Sequence, residues 1–126
     1  MKRLCLGVFC GFVACASGAG TIPDNQAVSA IVGESSNQNF SVMLAVACAI
    51  RNRGTLQGVY GLHNPVVKHS PHKVRERAAR AWLASAGRDV TGCCKFFGCP
   101  ADKDYFLHVL HFHPVKAIGL ITFYKP

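Results

Sequence analysis

Apolar residues recur at helical spacing through the first two thirds of the chain. Ala27, Val28, Ile31 and Val32 fall on one face of a helix that opens at Pro23-Asp24-Asn25, with Asp24 as its cap, and ends at Gly33-Glu34. Ser35 to Asn39 is a polar turn. A second helix runs from about Ser41 to Arg53 and buries Val42, Met43, Ala45, Val46, Ala49 and Ile50. Arg51 and Arg53 complement the dipole at its C-terminus, and Gly54 stops it. The stretch from Gly54 to His69 holds glycine, proline and asparagine, and reads as a surface loop over a groove. Ser70-Pro71, a capping hydroxyl before a first-turn proline, starts a third helix through Val74, Ala78, Ala81 and Trp82 to about Ser85, with Gly87 as its stop.

Beyond Gly87 the period changes. Asp89-Val90-Thr91-Gly92 is turn chemistry, while Lys95 to Phe97, Tyr105 to Phe112 and Ile121 to Tyr124 are aromatic, β-branched and strand-like. Helices followed by short strands predict an α+β domain: about three helices, then a small antiparallel sheet. No repeat or linker divides the chain, so residues 20–126 form one domain.

The N-terminus reads as an export signal. Lys2 and Arg3 precede an apolar run from Leu4 to the small-residue site Ala14-Cys15-Ala16, and a second small-residue site ends at Ala19. Residues 1–19 are thus expected to be removed, with a cut after Ala16 or Ala19. The run is short of a bilayer span, so no permanent membrane anchor is expected. Phe12-Val13-Ala14-Cys15 loosely resembles a lipoprotein processing site. A periplasmic or secreted protein is the expectation. The chain carries 14 Lys and Arg against 6 acids. That surplus survives loss of Lys2 and Arg3, and it suits an anionic partner such as a wall polymer. In an oxidising compartment the cluster Cys93, Cys94 and Cys99 invites one local disulfide, from Cys93 or Cys94 to Cys99, while Cys48 is an ordinary buried thiol.

Glu34 is the candidate for chemistry. It is a lone acid at the edge of a hydrophobic patch, where desolvation disfavours the charged form. A carboxyl that stays protonated near neutral pH can donate its proton to a leaving group.

The order Ala30-Ile31-Val32-Gly33-Glu34, then Ala45-Val46-Ala47 with Ile50-Arg51-Asn52-Arg53, then Asp89-Val90-Thr91-Gly92 with Phe96-Phe97, then Ile118-Gly119 with Phe123-Tyr124, resembles SleB-type cell wall hydrolases. These are the spore-cortex-lytic enzymes and their bacterial and phage relatives. The resemblance spans residues 24–125 and implies a compact fold related to lysozyme and lytic transglycosylases. It also implies cleavage of the glycan bond between N-acetylmuramic acid and N-acetylglucosamine by one essential glutamate, here Glu34. By position it makes Asn52 and Arg53 scaffolding of the groove, Thr91 and Gly92 the start of a groove turn, and Phe97 and Tyr124 its aromatic positions. Three positions depart from the pattern: Cys93-Cys94 replace the usual Gly-Ala, and Gly98 stands where many phage-type relatives have an acid.

The chemistry expected is acid/base work by Glu34 with no cofactor. Asp24, Glu76, Asp89, Asp102 and Asp104 are the other acids, and Asp89 reads as a turn-former rather than a nucleophile. Tyr60, Phe97 and Tyr124 are candidate sugar platforms, with Tyr60 the most exposed and Phe97 equally suited to core packing. No metal is expected. His111 and His113 share a face on a strand-like stretch, yet only His108 stands near as a third ligand. The basic run Lys68 to Arg77 lacks interleaved aromatics, so nucleic acid is not an expected partner. The expected partner is peptidoglycan, engaged by a monomer. The competing reading is a catalytically silent, cationic wall-binding or virion-associated protein on the same scaffold.

Overall fold

The computed structural model describes residues 21–126. The expected signal segment, with Cys15, lies outside them. The elements in order are α1 (Asp24–Ser35), α2 (Phe40–Arg53), a 3-10 turn (Tyr60–His63), α3 (Val66–His69), α4 (His72–Ser85), β1 (Phe96–Gly98), a second 3-10 turn (Pro100–Asp102), a π-helical turn (Tyr105–Val109), β2 (His113–Ile118) and β3 (Ile121–Lys125). The α+β architecture is the expected one: helices first, then a three-stranded antiparallel sheet in the order β1-β3-β2.

Helix α2 is the central post. Every residue from Val42 to Ile50 is buried, because α1, α4 and the sheet pack around it. A helix covered on all sides needs apolar residues all round, and Val42-Met43-Leu44-Ala45-Val46-Ala47 supplies them. Each large side chain taken fully out of water contributes about 1.5–3 kcal/mol, so this helix anchors the domain. Its ends are well specified. The Asn39 side chain accepts the Val42 N–H at 3.2 Å, and Gly54, with φ of 73°, donates its N–H to the Ile50 carbonyl.

Three helix ends differ from expectation. Pro23, not Asp24, occupies the N-cap of α1. Asp24 is instead bound across the bundle, its Oδ1 accepting the Trp82 indole N–H at 2.7 Å, which outcompetes local capping. Helix α1 also continues through Gly33-Glu34 to Ser35, whose hydroxyl donates to the Ile31 carbonyl at 2.7 Å. Ser70 does not cap α4, since its hydroxyl donates back to the carbonyls of Val66 and Val67 and closes the short α3.

The sheet shows two further corrections. Tyr105 to Phe112 is not a strand: Tyr105–Val109 form a π-helical turn closed by the Leu110 N–H on the Tyr105 carbonyl at 3.0 Å. Packing overrides propensity there, because Phe106 must lie flat on Tyr124, 4.2 Å between centroids and 7° between planes. Phe112 meets Phe96 at 4.8 Å in the same cluster. The second strand is instead His113–Ile118, which periodicity did not mark. It is an edge strand, exposed at every position but Ile118, and it carries Pro114 beside a register shift.

Candidate active site

The end of α1 and the turn Tyr60–His63 touch backbone to backbone. A Cβ on Gly33 would overlap the Gly61 carbonyl, and one on Gly61 would lie 2.5 Å from the Glu34 Cγ. Two side-chain-free residues therefore face each other, and this contact delivers the Gly61 N–H to the Glu34 Oε1 at 2.7 Å. The carboxyl is half-buried. Burial pushes its pKa up, the Gly61 hydrogen bond opposes that in part, and the charge of Asp102 adds to the rise. The net direction is upward.

Glu34 and Gly61 lie in a cleft of about 640 Å³, a volume suited to a ligand of several rings. One wall comes from the 3-10 turn and its flanks, with Tyr60, His63, Asn64 and Pro65. The other is aromatic and comes from β1 and the π-helical turn, with Phe96, Phe97, Tyr105 and Phe106. Arg53, from the end of α2, and Asp102 supply the charges. The Arg53 guanidinium lies 5.3 Å from the Phe96 ring centre, and Gly58 leaves it room, because a Cβ there would come within 2.7 Å of Nη2.

The positions singled out in the sequence divide into two groups. Glu34, Arg53, Tyr60 and Phe97 line the cleft, and Tyr60 is the most exposed large hydrophobic residue among those described, at 83%. Thr91, Gly92 and Tyr124, expected as substrate contacts, are not among the cleft walls. Thr91 and Tyr124 are each 1% exposed. Tyr124 acts from behind, as the plate under Phe106.

The buried Asn52 and Thr91, with the more exposed Asp89, form a brace between α2 and the turn before β1. The Asn52 amide nitrogen reaches the Asp89 Oδ2 at 3.1 Å, the Thr91 Oγ1 at 3.3 Å and the Cys94 carbonyl at 3.1 Å. Asp89 Oδ1 accepts the Thr91 N–H and hydroxyl, and Oδ2 accepts the Cys93 N–H at 2.7 Å. Burial acts to raise the Asp89 pKa, but the donors from Thr91, Cys93 and Asn52 outweigh it and hold the carboxylate below its usual range. Asn52, expected as scaffolding, and Asp89, expected as a turn-former, both take part in this hydrogen-bonded arrangement. Replacing Asn52 by alanine takes the donor from the buried Cys94 carbonyl and unties α2 from Asp89 and Thr91, so a loss of about 2 kcal/mol is expected in urea unfolding.

The expected bridge from Cys93 or Cys94 to Cys99 is not formed, since Cys94 and Cys99 are both free thiols. Cys94 is buried in the core, whereas Cys99 is exposed beyond the strand Phe96–Gly98. Cys48 is a buried thiol as expected, donating to the Arg88 carbonyl at 3.2 Å.

Among the described residues no group of three or more His, Cys, Asp or Glu is placed to hold a metal, and no helix is long and apolar enough to cross a membrane. Asp102, Tyr105 and Phe106 are among the cleft residues that pattern reading missed. The irregular turns that deliver them carry no periodic signal, although the Pro100 that opens the first turn is a visible punctuator.

The ionisation of Glu34 has a consequence for stability. Its folded-state pKa lies above the unfolded value, so its contribution is fully present below the unfolded pKa and is lost as pH rises through the folded one. Glu34→Gln cannot ionise and keeps an acceptor for the Gly61 N–H. Its melting temperature relative to wild type is therefore expected to rise from acid to neutral pH. A gap that stays constant in paired thermal melts would contradict the upward shift.

No protein-family model matches the chain, and no curated protein matches it. Two solved structures are similar in fold. The catalytic domain of the germination-specific lytic transglycosylase SleB from Bacillus anthracis superposes with a TM-score of 0.61 at 24% identity, over 86% of this chain and 99% of that one. The catalytic domain of the Bacillus cereus SleB protein gives a TM-score of 0.59 at 24% identity, over 91% of this chain and 99% of that one. The chain thus has the fold of these catalytic domains, nearly end to end.

Proposed function

We propose that this chain is a SleB-type cell wall enzyme that cleaves peptidoglycan glycan strands, with Glu34 as the acid and then the base. One observation carries the reading: a half-buried carboxyl with a raised pKa, oriented by the Gly61 N–H, stands in an aromatic-walled cleft. The fold it shares with a lytic transglycosylase catalytic domain supports the same chemistry.

The reaction follows from those groups. Protonated Glu34 gives its proton to the glycosidic oxygen, and the bond between that oxygen and the anomeric carbon breaks with both electrons going to the oxygen. Positive charge spreads over the anomeric carbon and the ring oxygen, and the sugar's own N-acetyl group can share it. Glu34, now a carboxylate, takes the proton of the muramyl 6-hydroxyl as that oxygen closes on the anomeric carbon. The product carries a 1,6-anhydro ring, and the enzyme returns to its starting state. Tyr60 and the Phe96–Phe97 wall offer faces for sugar rings, and Arg53 offers a cation for the carboxylates of the stem peptides. The net positive charge suits the anionic wall, and the N-terminal pattern suits action outside the cytoplasm.

Mass spectrometry of muropeptides released from purified sacculi tests the reading. Anhydro ends support lytic cleavage. Reducing ends would replace it with hydrolysis by the same acid, and release of nothing by folded protein would favour the silent wall binder.

A further inference from the structure

Asp102 shares the cleft with Glu34 and reaches it from the opposite half of the chain, at the end of the turn Pro100–Asp102. It is an exposed residue whose side chain is oriented by one hydrogen bond. The Oδ2 accepts the Cys99 N–H at 2.9 Å, which closes the turn and holds the side chain in one orientation. Gly98 makes room for it: a Cβ there would lie 2.9 Å from the Asp102 Cβ, 3.0 Å from its Oδ2 and 2.7 Å from the Phe106 ring. Phe106 in turn rests flat on the buried Tyr124. The carboxylate is thus mounted on a stacked aromatic wall.

Resting on the cleavage reading above, we propose that Asp102 is the second charged group of the reaction, stabilising the positive charge that develops on the sugar while forming no bond to it. The groups lining the cleft around Glu34 are the Gly61 N–H, Arg53 from α2, Tyr60 and His63 from the 3-10 turn, Asp102, and Tyr105 from the π-helical turn. Asp102 is the one anion among them besides Glu34. Among the described residues no ion pair within 4 Å neutralises it, the His72–Glu76 pair lying on α4. Its charge therefore acts on the cleft. A fixed negative charge facing a developing cation favours the transition state over the neutral ground state, which is how a preorganised site accelerates bond breaking. The same charge also disfavours ionisation of Glu34 and so keeps more of it in the acid form. The electron and proton movements are those given above: the bond cleaved is the glycosidic one, the proton leaves and returns to Glu34, and Asp102 ends as it began.

Asp102→Asn removes the charge and keeps an oxygen for the Cys99 N–H; Asp102→Ser is a second variant with a hydroxyl acceptor. Glycan cleavage by each is measured against wild type across pH, with thermal melts as a control for folding. The proposal expects about a tenfold slower reaction, a basic limb of the pH profile moved to lower pH, and an unchanged melting temperature. An undiminished rate, an unmoved basic limb, or a rate loss that tracks a lowered melting temperature overturns it. A wild type that cleaves nothing overturns the cleavage reading. Titration of the Glu34 carboxyl by carbon NMR in wild type and Asp102→Asn still reads the charge coupling in that case, and equal midpoints overturn the proposal on their own.

Discussion

Gly33→Ala is expected to destabilise the protein by about 3 kcal/mol or more and to abolish whatever activity the cleft has. The sign is the informative part. Alanine in place of glycine inside a helix ordinarily stabilises by about 1 kcal/mol, since it restricts the unfolded chain and fits the helical backbone. Here the added methyl would overlap the backbone carbonyl of Gly61, which is part of a hydrogen-bonded turn and not the far end of a flexible side chain. Either the turn moves or α1 does. In both cases the Gly61 N–H leaves the Glu34 carboxyl, and the acid loses its orientation. For a domain of this size the expected fall in melting temperature is on the order of 10 °C or more. Gly87→Ala is the matched control, because a Cβ there meets nothing within 4 Å. Equal melting temperatures for the two variants would show that the close approach of α1 to the 3-10 turn is not required.

Much of the domain was legible because its helices obey simple rules. Helix α2 announces itself by an unbroken apolar run from Val42 to Ile50, framed by Asn39 and Gly54, and its burial on all sides is what such a run requires. Glu34 stands out for the opposite reason, as a charge where the pattern asks for none. What could not be read were the places where packing sets local conformation. Tyr105-Phe106-Leu107-His108-Val109 has the composition of a strand, yet it coils into a π-helical turn to lay Phe106 on Tyr124. His113 to Ile118 is a strand without alternation, because at the sheet edge neither face is buried. The cleft suffers from the same limit. Glu34 and Arg53 sit at the ends of helices with clear signals, whereas Asp102 is delivered by a turn whose position depends on Gly98 and a stacked ring. Thr91 and Tyr124 lie close to the site in sequence pattern but behind its walls in space, where they brace and support.

Glu34→Gln is the second large effect. Glutamine matches the size of the side chain and keeps an oxygen for the Gly61 N–H, so the fold and the cleft are expected to survive. It cannot give up or accept the proton of the reaction. Positioned acid/base groups contribute about 10²–10⁴ in rate, and Glu34 serves in both halves of the cycle, so a loss near the upper end of that range is expected. Wall binding, which draws on the net positive charge and the aromatic wall, is expected to persist.

The most direct measurement is a paired digestion of purified sacculi by wild type and Glu34→Gln at matched concentration, with soluble glycan fragments quantified over time and sedimentation with the wall scored in parallel. The account predicts fragments from the wild type, none above background from the variant, and equal sedimentation of both. Fragments released at the same rate by both proteins would contradict it.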